Sequence, residues 1–284
     1  MVSATLKIHC TDKKGIISSI SSFIYRNNGN IITLDEFVDP PSNTFFMRLE
    51  WDISAFTLSR EQMESEIATM GQEYNYADNC QIFYSDRKPR LAIFVSKYDH
   101  CLWDILLRYK AGELKCDIPL IISNHPDLKQ IADLFGIDYK VVKVNPENKL
   151  EAENEQTLLI SKYNIDFMIL ARYMQVLSPE FVARFENRII NIHHSFLPAF
   201  EGARPYHQAI ERGVKLVGAT AHFVNNNLDK GPIISQSTMP ISHEDSVEDL
   251  MVKGRDIEKL VLSQAMKIFL DHRIFVHNNR TIIL

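Results

Sequence analysis

The sequence predicts an α/β protein of two domains, and two observations predict it. The first 85 residues show strands and helices in the order β-α-β-β-α-β, which is the split βαβ motif. From residue 91, buried apolar strands alternate with helical segments, as in a mostly parallel, twisted sheet of the Rossmann-like, doubly wound type. The length of 284 residues suits two domains, and a 45% share of hydrophobic residues is enough to build a core in each.

The elements of the first domain, residues 1–85, follow from hydrophobic periodicity and from caps. Alternating Phe45, Met47, Leu49 and Trp51 predict a strand, and Ser59 suits the N-cap of a helix. The predicted elements are a strand at 5–9, a helix at 16–27, strands at 31–38 and 44–51, a helix at 60–74 and a strand at 80–84. This order predicts a ferredoxin-like domain.

Two loop motifs in this domain resemble those of ACT domains, which are small regulatory modules. They are D-x-x-G-I at 12–16 and N-G-N-I at 28–31. The resemblance implies an amino-acid effector, methionine or glycine, bound near Asp12, Gly15 and Asn30. It also implies pairing of these domains, and hence a homodimer or homotetramer. The structural alternative is an oligomerisation module in which Asp12 only caps a helix.

A charged, proline-containing segment at 86–90 predicts a linker, and the second domain is expected at 91–284. Ser178 and Pro179 suit the N-cap and the first position of a helix there. The predicted strands of this domain are 91–96, 118–123, 139–144, 166–171, 189–193, 218–224 and 232–238, with helices at 103–109, 129–135, 151–163, from 178 onward, and at 246–271.

Composition and missing motifs exclude several classes of function. The first strand-to-helix turn of the second domain, 96–101, contains no glycine, and neither G-x-G-x-x-G nor a P-loop occurs. We therefore expect no NAD, no ATP and no other cofactor. A net charge of −5 argues against nucleic acid, and no apolar run is long enough for a membrane span. No signal peptide is apparent and no C-x-x-C pair occurs, so we expect a cytoplasmic protein with reduced cysteines.

Polar residues that follow two strands form the candidate catalytic cluster. Asn191 and His193 are two residues apart, so on a strand they point the same way, and Asp229 follows the strand at 218–224. An amide can donate to an oxyanion, an imidazole can stabilise it or move a proton, and a carboxylate can activate water. This set suits acyl transfer or hydrolysis.

Other interpretations of the same residues remain open at this point. A zinc site is possible by residue type, although no H-E-x-x-H or cysteine spacing supports it. Ser195 as a nucleophile lacks the G-x-S-x-G elbow. Two of the histidines can instead be structural and make buried hydrogen bonds. The candidate zinc ligands are His193, His194, His222 and Asp229, and the candidate structural histidines are His194 and His222.

Three ordered motifs of the second domain resemble the formyltransferase family. They are N-I-H-x-S-x-L-P-x-F-x-G at 191–202, G-A-T-A-H-F-V at 218–224 and L-D-x-G-P-I-I at 228–234. The resemblance implies 10-formyltetrahydrofolate as the substrate, with Asp229, His193 and Asn191 as catalytic residues and no metal. It implies a folate site formed by Met174, Gln175, Val176, Leu177, His222, Val224, Asn225 and Arg204.

Arg204 departs from the family pattern, because transformylases place a histidine there. It could pair with Asp229 or with the carboxylates of the folate, and both options stay open. Phe196 and Phe200 are expected to fill or close the side of the site that an acceptor would use, with core packing as the structural alternative.

An ACT domain in front of this fold resembles members of the family that use water as the formyl acceptor. Those members hydrolyse 10-formyltetrahydrofolate to formate and tetrahydrofolate, which supplies formate for purine synthesis and balances the one-carbon pool. The glycine-free turn at 96–101 agrees, because it cannot cradle the phosphate of an amine acceptor. The alternatives are formyl transfer to an amine, and a regulatory protein that binds folate and an amino acid without turnover.

Overall fold

A computed structural model describes residues 1–199 and 205–284, and the chain forms two compact units. The first unit contains residues 1–88 together with 271–275 and 282–284. The second contains 89–270 and 276–281. The sequence analysis placed a first domain at 1–85 and assigned the whole C-terminus to the second domain. The structure instead places eight C-terminal residues, 271–275 and 282–284, in the first unit.

The first unit has the predicted order of strands and helices. Its elements are β1 (Ser3–Thr11), α1 (Ile16–Arg26), β2 (Asn30–Asp39), β3 (Thr44–Asp52), α2 (Arg60–Tyr74), a single 3-10 turn (Ala77–Asn79) and β4 (Cys80–Tyr84). The sheet has the order β2-β3-β1-β4 and its paired strands are antiparallel. Ser59 and Gln62 form the capping box that starts α2. Apolar residues on one face of the sheet pack with α1 and α2, which include Ile20, Phe23 and Met63.

The opposite face of this sheet is covered by the end of the chain. Phe46 is fully buried, and its ring lies 5.5 Å from that of Phe275, edge to face. Arg48 Nε donates a hydrogen bond to the Asp271 carbonyl oxygen at 3.0 Å. These contacts explain why 271–275 belong to the first unit, a pairing across more than 200 residues that periodicity cannot reveal.

Two titratable side chains are enclosed on this covered face. The Lys7 ammonium donates to the Ile274 carbonyl oxygen and lies 4.7 Å from the Phe275 ring centroid. Burial, and then the charge of Arg48, lower the pKa of Lys7 to about 8. Burial also lowers the pKa of His272 to about 4, with smaller contributions from Lys7 and Arg48.

The second unit contains the predicted sheet of seven strands. Its elements are β5 (Arg90–Val95), α3 (His100–Lys110), β6 (Asp117–Ser123), α4 (Lys129–Leu134), β7 (Asp138–Val141), α5 (Lys149–Lys162), β8 (Phe167–Leu170), α6 (Pro179–Arg184), β9 (Ile189–His193), α7 (Pro205–Glu211), β10 (Leu216–Phe223), β11 (Ile233–Pro240) and α8 (Val247–Leu270). The hairpin β12 (Ile274–His277) and β13 (Arg280–Ile283) ends the chain and is divided between the units. The sequence predicted neither α7 nor this hairpin.

The order of the sheet is β11-β10-β9-β8-β5-β6-β7. Five neighbouring strands of this sheet, β9, β8, β5, β6 and β7, are parallel to one another. Strand β10 is antiparallel to both β9 and β11. From β5 the chain proceeds to β6 and β7 on one side, then returns to β8 on the other. The direction of winding therefore switches between β5 and β8, and the crevice outside such a point is where ligands bind in open α/β sheets.

Among the helices of the described residues, none is both long enough and apolar enough to span a membrane.

Candidate active site

Strands β9 and β10 place three of the predicted polar side chains next to one another. They pair antiparallel with Thr220 opposite His193 and His222 opposite Asn191. The register of β10 shifts between Ala221 and His222, where it pairs with β11. Because Asn191 and His193 share one face of β9, the two strands bring an amide and two imidazoles to one edge of the sheet.

Asp229 completes this group from the loop that follows β10. Its Oδ2 lies 3.3 Å from His193 Nδ1, and the two side chains are only 15% and 8% exposed. Among the described residues, no hydrogen-bond partner reaches His193 Nε2. The imidazole is therefore held by its Nδ1, while Nε2 is the atom that remains for a substrate.

The Asp229 carboxyl is kept ionised by its neighbours. Burial alone would raise its pKa, but the hydrogen bond from His193 and the charges of His193, His222 and His194 together lower the pKa of Asp229 below its usual value. Its second oxygen, Oδ1, lies 3.8 Å from His222 Nε2, beyond hydrogen-bond distance. Oδ1 is thus the oxygen of this carboxylate that is positioned to accept a proton from water.

His222 orients Asn191. Its Nδ1 lies 2.8 Å from the Phe223 carbonyl oxygen, so Nδ1 carries the hydrogen and donates it. Its Nε2 then accepts a hydrogen bond from Asn191 Nδ2 at 3.3 Å. Burial lowers the pKa of His222 against the opposing effects of Phe223 and Asp229, which keeps it neutral. One amide hydrogen of Asn191 is therefore fixed, and the other can point to a substrate oxygen.

Residues 173–177, which follow β8 and are called the ledge below, lie beside this cluster. Tyr173 is buried and its hydroxyl accepts from Gln156 Nε2 at 2.7 Å. In contrast, the side chains of Met174 and Val176 are 55% and 59% exposed. Met174 has a positive φ of 58°, an uncommon conformation that turns the backbone at this point. Exposed apolar side chains on an anchored backbone suit contact with a flat heterocycle.

Hydrogen bonds between the Asn225 side chain and backbone groups close the loop that carries Asp229. Asn225 Oδ1 accepts from the Asn227 amide at 3.0 Å, and Asn225 Nδ2 donates to the Lys230 carbonyl oxygen at 3.2 Å. A Cβ at Gly231 would lie 1.7 Å from the Phe223 carbonyl oxygen, so only glycine fits there. The same carbonyl oxygen holds His222, which couples the loop to the orientation of Asn191.

The remaining predicted residues lie in different places. Arg204 and Phe200 fall outside the described residues. Asp12, Gly15 and Asn30 belong to the first unit, where Gly15 has a φ of 99° and the Asp12 amide donates to the Asn43 carbonyl oxygen. Gln175 and Leu177 lie on the ledge and Val224 lies next to β10, all three partly buried. Ser195 is 3% exposed, and its carbonyl oxygen accepts from Thr220 Oγ1.

A second cluster lies beside these residues, and sequence reasoning missed it. Glu258 on α8 is only 2% exposed. His100 Nε2 lies 2.8 Å from its Oε2, and Arg172 Nη1 and the Tyr206 hydroxyl lie 3.5 and 3.4 Å from its Oε1. The sequence does contain a signal for this cluster. Glu258 is a charged residue among the apolar positions of α8, which include Ile257 and Val261.

The charges in this second cluster stabilise one another. Burial would raise the pKa of Glu258, but the hydrogen bond with His100 and the charge of Arg172 hold the pKa below its usual value. Within the described part of the chain, the ligand atoms of His100, Cys101 and Glu258 lie within 4.8 Å of one another. The Arg172 guanidinium beside them and a Cys101 thiol pKa that burial raises both disfavour a cation at this place.

His194 connects the two clusters. Its ring lies 5.2 Å from that of His193 and 6.2 Å from that of Tyr206. Burial, followed by the charges of Arg172 and His193, lowers the pKa of His194 to about 4. His194 is therefore a neutral, partly buried imidazole that lies between two other rings.

Comparisons with known proteins match this arrangement. The family model for formyl transferases matches residues 89–266. Formyltetrahydrofolate deformylase of Synechocystis sp. is 51% identical over 282 residues, which cover 99% of this chain and 98% of that protein. The crystal structure of a formyltetrahydrofolate deformylase from Pseudomonas syringae superimposes with a TM-score of 0.97 at 39% identity, covering 100% of this chain and 95% of that one.

A shorter solved structure matches part of this chain. Glycinamide ribonucleotide transformylase 1 from Symbiobacterium toebii superimposes with a TM-score of 0.65 at 30% identity. The match covers 69% of this chain and 94% of that one.

Proposed function

The chain belongs to the formyltetrahydrofolate deformylase family, and from this membership we propose that it hydrolyses 10-formyltetrahydrofolate to formate and tetrahydrofolate. The observation that carries the proposal is the contact of 3.3 Å between His193 Nδ1 and Asp229 Oδ2, beside the oriented amide of Asn191. A carboxylate, an imidazole and an amide donor at one sheet edge are the groups that hydrolysis of a formamide requires.

The attack on the formyl carbon uses both oxygens of Asp229. Oδ2 holds His193, and Oδ1 removes a proton from water as the water oxygen bonds to the formyl carbon. The carbonyl oxygen becomes an oxyanion, which the second N–H of Asn191 and the imidazole of His193 stabilise.

Collapse of the tetrahedral intermediate completes the reaction. The bond between the formyl carbon and N10 breaks, and N10 takes a proton from His193 or Asp229. The products are formate and tetrahydrofolate. Because water supplies the oxygen and both protons, this chemistry needs no cofactor.

The folate is proposed to lie against the ledge after β8. Met174 and Val176 supply exposed apolar contacts, while backbone groups of Gln175, Leu177, Val224 and Asn225 face the donor and acceptor edge of the pterin. His222 acts through Asn191 rather than on the ring itself. Arg204 retains both proposed roles, pairing with Asp229 or with the folate carboxylates.

The first unit is proposed to be an ACT domain that binds methionine or glycine near Asp12, Gly15 and Asn30. Strand β2 lies at one edge of its sheet, and Ile32 and Phe37 on it are 38% and 40% exposed. An edge strand with exposed apolar residues supports pairing with a second copy, as a homodimer or within a homotetramer. Free thiols at Cys10, Cys80 and Cys101 support a cytoplasmic setting, and in that setting the protein is proposed to supply formate for purine synthesis.

The experiment is an assay without added acceptor. Purified protein is incubated with 10-formyltetrahydrofolate, tetrahydrofolate is followed by absorbance, and formate is quantified in the same samples. Formate and tetrahydrofolate in equal amounts are expected, with no loss of rate in the presence of a chelator. Tight folate binding without formate would refute hydrolysis and direct attention to amine acceptors, and a chelator-sensitive rate would favour a metal-dependent hydrolase.

A further inference from the structure

We propose that Arg172 determines the choice of acceptor: its guanidinium, tied to Glu258 and stacked on Tyr98, fills the crevice beside the catalytic residues and excludes an amine acceptor. The inference rests on the proposed hydrolysis and deepens it, because it names the part of the chain that restricts the acceptor to water.

Arg172 lies just after β8, at the point where the winding of the sheet switches. Its segment follows β8, while Tyr98 lies in the turn between β5 and α3 and His100 is the first residue of α3. The winding of the sheet switches between β5 and β8, so this turn and this segment form the two sides of the crevice in which an open α/β sheet binds ligands. The catalytic Asn191 and His193 lie on β9, the next strand beyond β8.

Arg172 also makes contacts that extend across this crevice. The Arg172 guanidinium carbon lies 4.8 Å from the Tyr98 ring centroid, and its Nη1 lies 3.5 Å from Glu258 Oε1. Glu258 Oε2 in turn meets His100 Nε2 at 2.8 Å. The two sides of the crevice are thus joined by side chains of this protein. The Arg172 and Glu258 side chains are only 10% and 3% exposed, so solvent scarcely reaches either of them.

The backbone of Arg172 has an unusual conformation. It has a φ of 63°, in the left-handed region that side chains other than those of Gly, Asn and Asp rarely adopt. A buried ion pair is a weak source of stability compared with apolar packing of the same volume. A strained arginine and a buried carboxylate together are therefore typical of a functional constraint rather than of core packing.

The chemistry of the excluded acceptor follows from the shared fold. The Symbiobacterium toebii protein, a transformylase of glycinamide ribonucleotide by its name, shares the fold over 69% of this chain. With an amine in place of water, the nitrogen bonds to the formyl carbon, the bond to N10 breaks, and the amine proton passes to N10. The products are a formamide and tetrahydrofolate, so the same catalytic groups serve either acceptor and access alone decides between them.

The test replaces Arg172 by glycine, the residue that relieves the left-handed backbone while it removes the side chain. Wild type and Arg172→Gly are incubated with 10-formyltetrahydrofolate and either glycinamide or glycinamide ribonucleotide. Tetrahydrofolate, formate and formylated amine are each quantified. Asn187→Gly is the matched control, since Asn187 has a φ of 56° and lies outside the crevice.

In wild type and the control, formate is expected to equal tetrahydrofolate at every amine concentration. In Arg172→Gly, formate is expected to fall short of tetrahydrofolate, and the formylated share is expected to rise about tenfold or more, as for other steric pocket changes. The double variant Arg172→Gly/Glu258→Gln, which leaves no unpaired carboxylate, is expected to do the same.

Two results would overturn the inference. One is that formate still equals tetrahydrofolate in folded variants that retain turnover. The other is a loss of both reactions in Arg172→Gly and in the double variant, which would assign Arg172 to hydrolysis itself. Absence of formate from the wild type without amine would refute the proposed function instead, so the two failures are distinguishable.

Discussion

In the proposed mechanism, hydrolysis depends most directly on Asp229. Its neighbours keep the carboxylate ionised, and Oδ1 is positioned to take a proton from water. Asp229→Asn is expected to reduce kcat by about 100- to 10,000-fold, because an amide cannot act as the base. Turnover is measured by formate release, and folding by the thermal midpoint.

Asp133→Asn is the matched control, because Asp133 is 55% exposed and pairs only with Lys129 among the contacts described. A wild-type rate for Asp229→Asn would remove the carboxylate from the mechanism.

His193 is expected to act in the transition state rather than in binding. Its Nδ1 is held by Asp229, and its Nε2 has no protein partner within the described residues. His193→Ala is expected to lower kcat with little change in KM, since a charge on the formyl oxygen develops only after attack. Steady-state kinetics measure both constants, with exposed His243→Ala as control. An increase confined to KM would mean that His193 binds the ground state.

Single residues of the catalytic cluster were predictable from sequence, whereas their partners were not. Asn191 and His193 follow from the period of a strand, and Asp229 from a polar loop after another strand. The tautomer of His222 depends on a backbone carbonyl that no periodicity reveals. Arg172 lies two residues before the predicted folate-site residues that begin at Met174, but its partner Glu258 lies 86 positions away on α8.

Loop closure after β10 depends on Gly231. A Cβ there would meet the Phe223 carbonyl oxygen at 1.7 Å, and backbone atoms cannot yield as a flexible side chain can. Gly231→Ala is expected to displace Asp229 and to lower kcat/KM by about a hundredfold, as misplacement of a catalytic group by about 1 Å does.

Gly213→Ala is the control for this prediction. Nothing lies within 4 Å of its added Cβ, although its φ of 60° makes the change destabilising by about 1 kcal/mol. Activity and melting temperature are measured together. Equal activity of the two variants would show that the loop accommodates the methyl group.

The strands and helices were predicted best where periodicity is strong. The seven strands of the large sheet and the long helix α8 were all expected, with ends displaced by a few residues. Helix α3 begins at His100, three residues before the predicted start, and its first turn buries Cys101 and Leu102. The C-terminal hairpin was missed because β12 and β13 have only four residues each, too few for a pattern.

At the scale of the whole molecule, stability is expected to depend on pH through Lys7. Its folded pKa of about 8 is below the ordinary value of 10.5, so the unfolded chain binds more protons between these values. The free energy of unfolding of the first unit is therefore expected to rise with pH over this range, by roughly 3 kcal/mol in full. Below pH 8 the penalty of the buried charge is fully present.

Urea unfolding at several pH values between about 7.5 and 9.5 measures this effect, and the difference from Lys7→Met isolates it from other titrations. Lys129→Met, at a side chain that is 57% exposed, is the control. An identical pH dependence of wild type and Lys7→Met would show that Lys7 titrates normally in the folded protein.

The burial of Phe46 by Phe275 has a consequence for how the protein is made. Residues 1–88 of the first unit are translated before residues 271–275, which cover its sheet. During synthesis this face therefore stays uncovered while residues 89–270 are made, whereas a domain formed from one continuous segment would already be complete. A nascent chain that stalls anywhere before residue 271 thus carries an unfinished first unit with its aromatic surface open to chaperones and to aggregation.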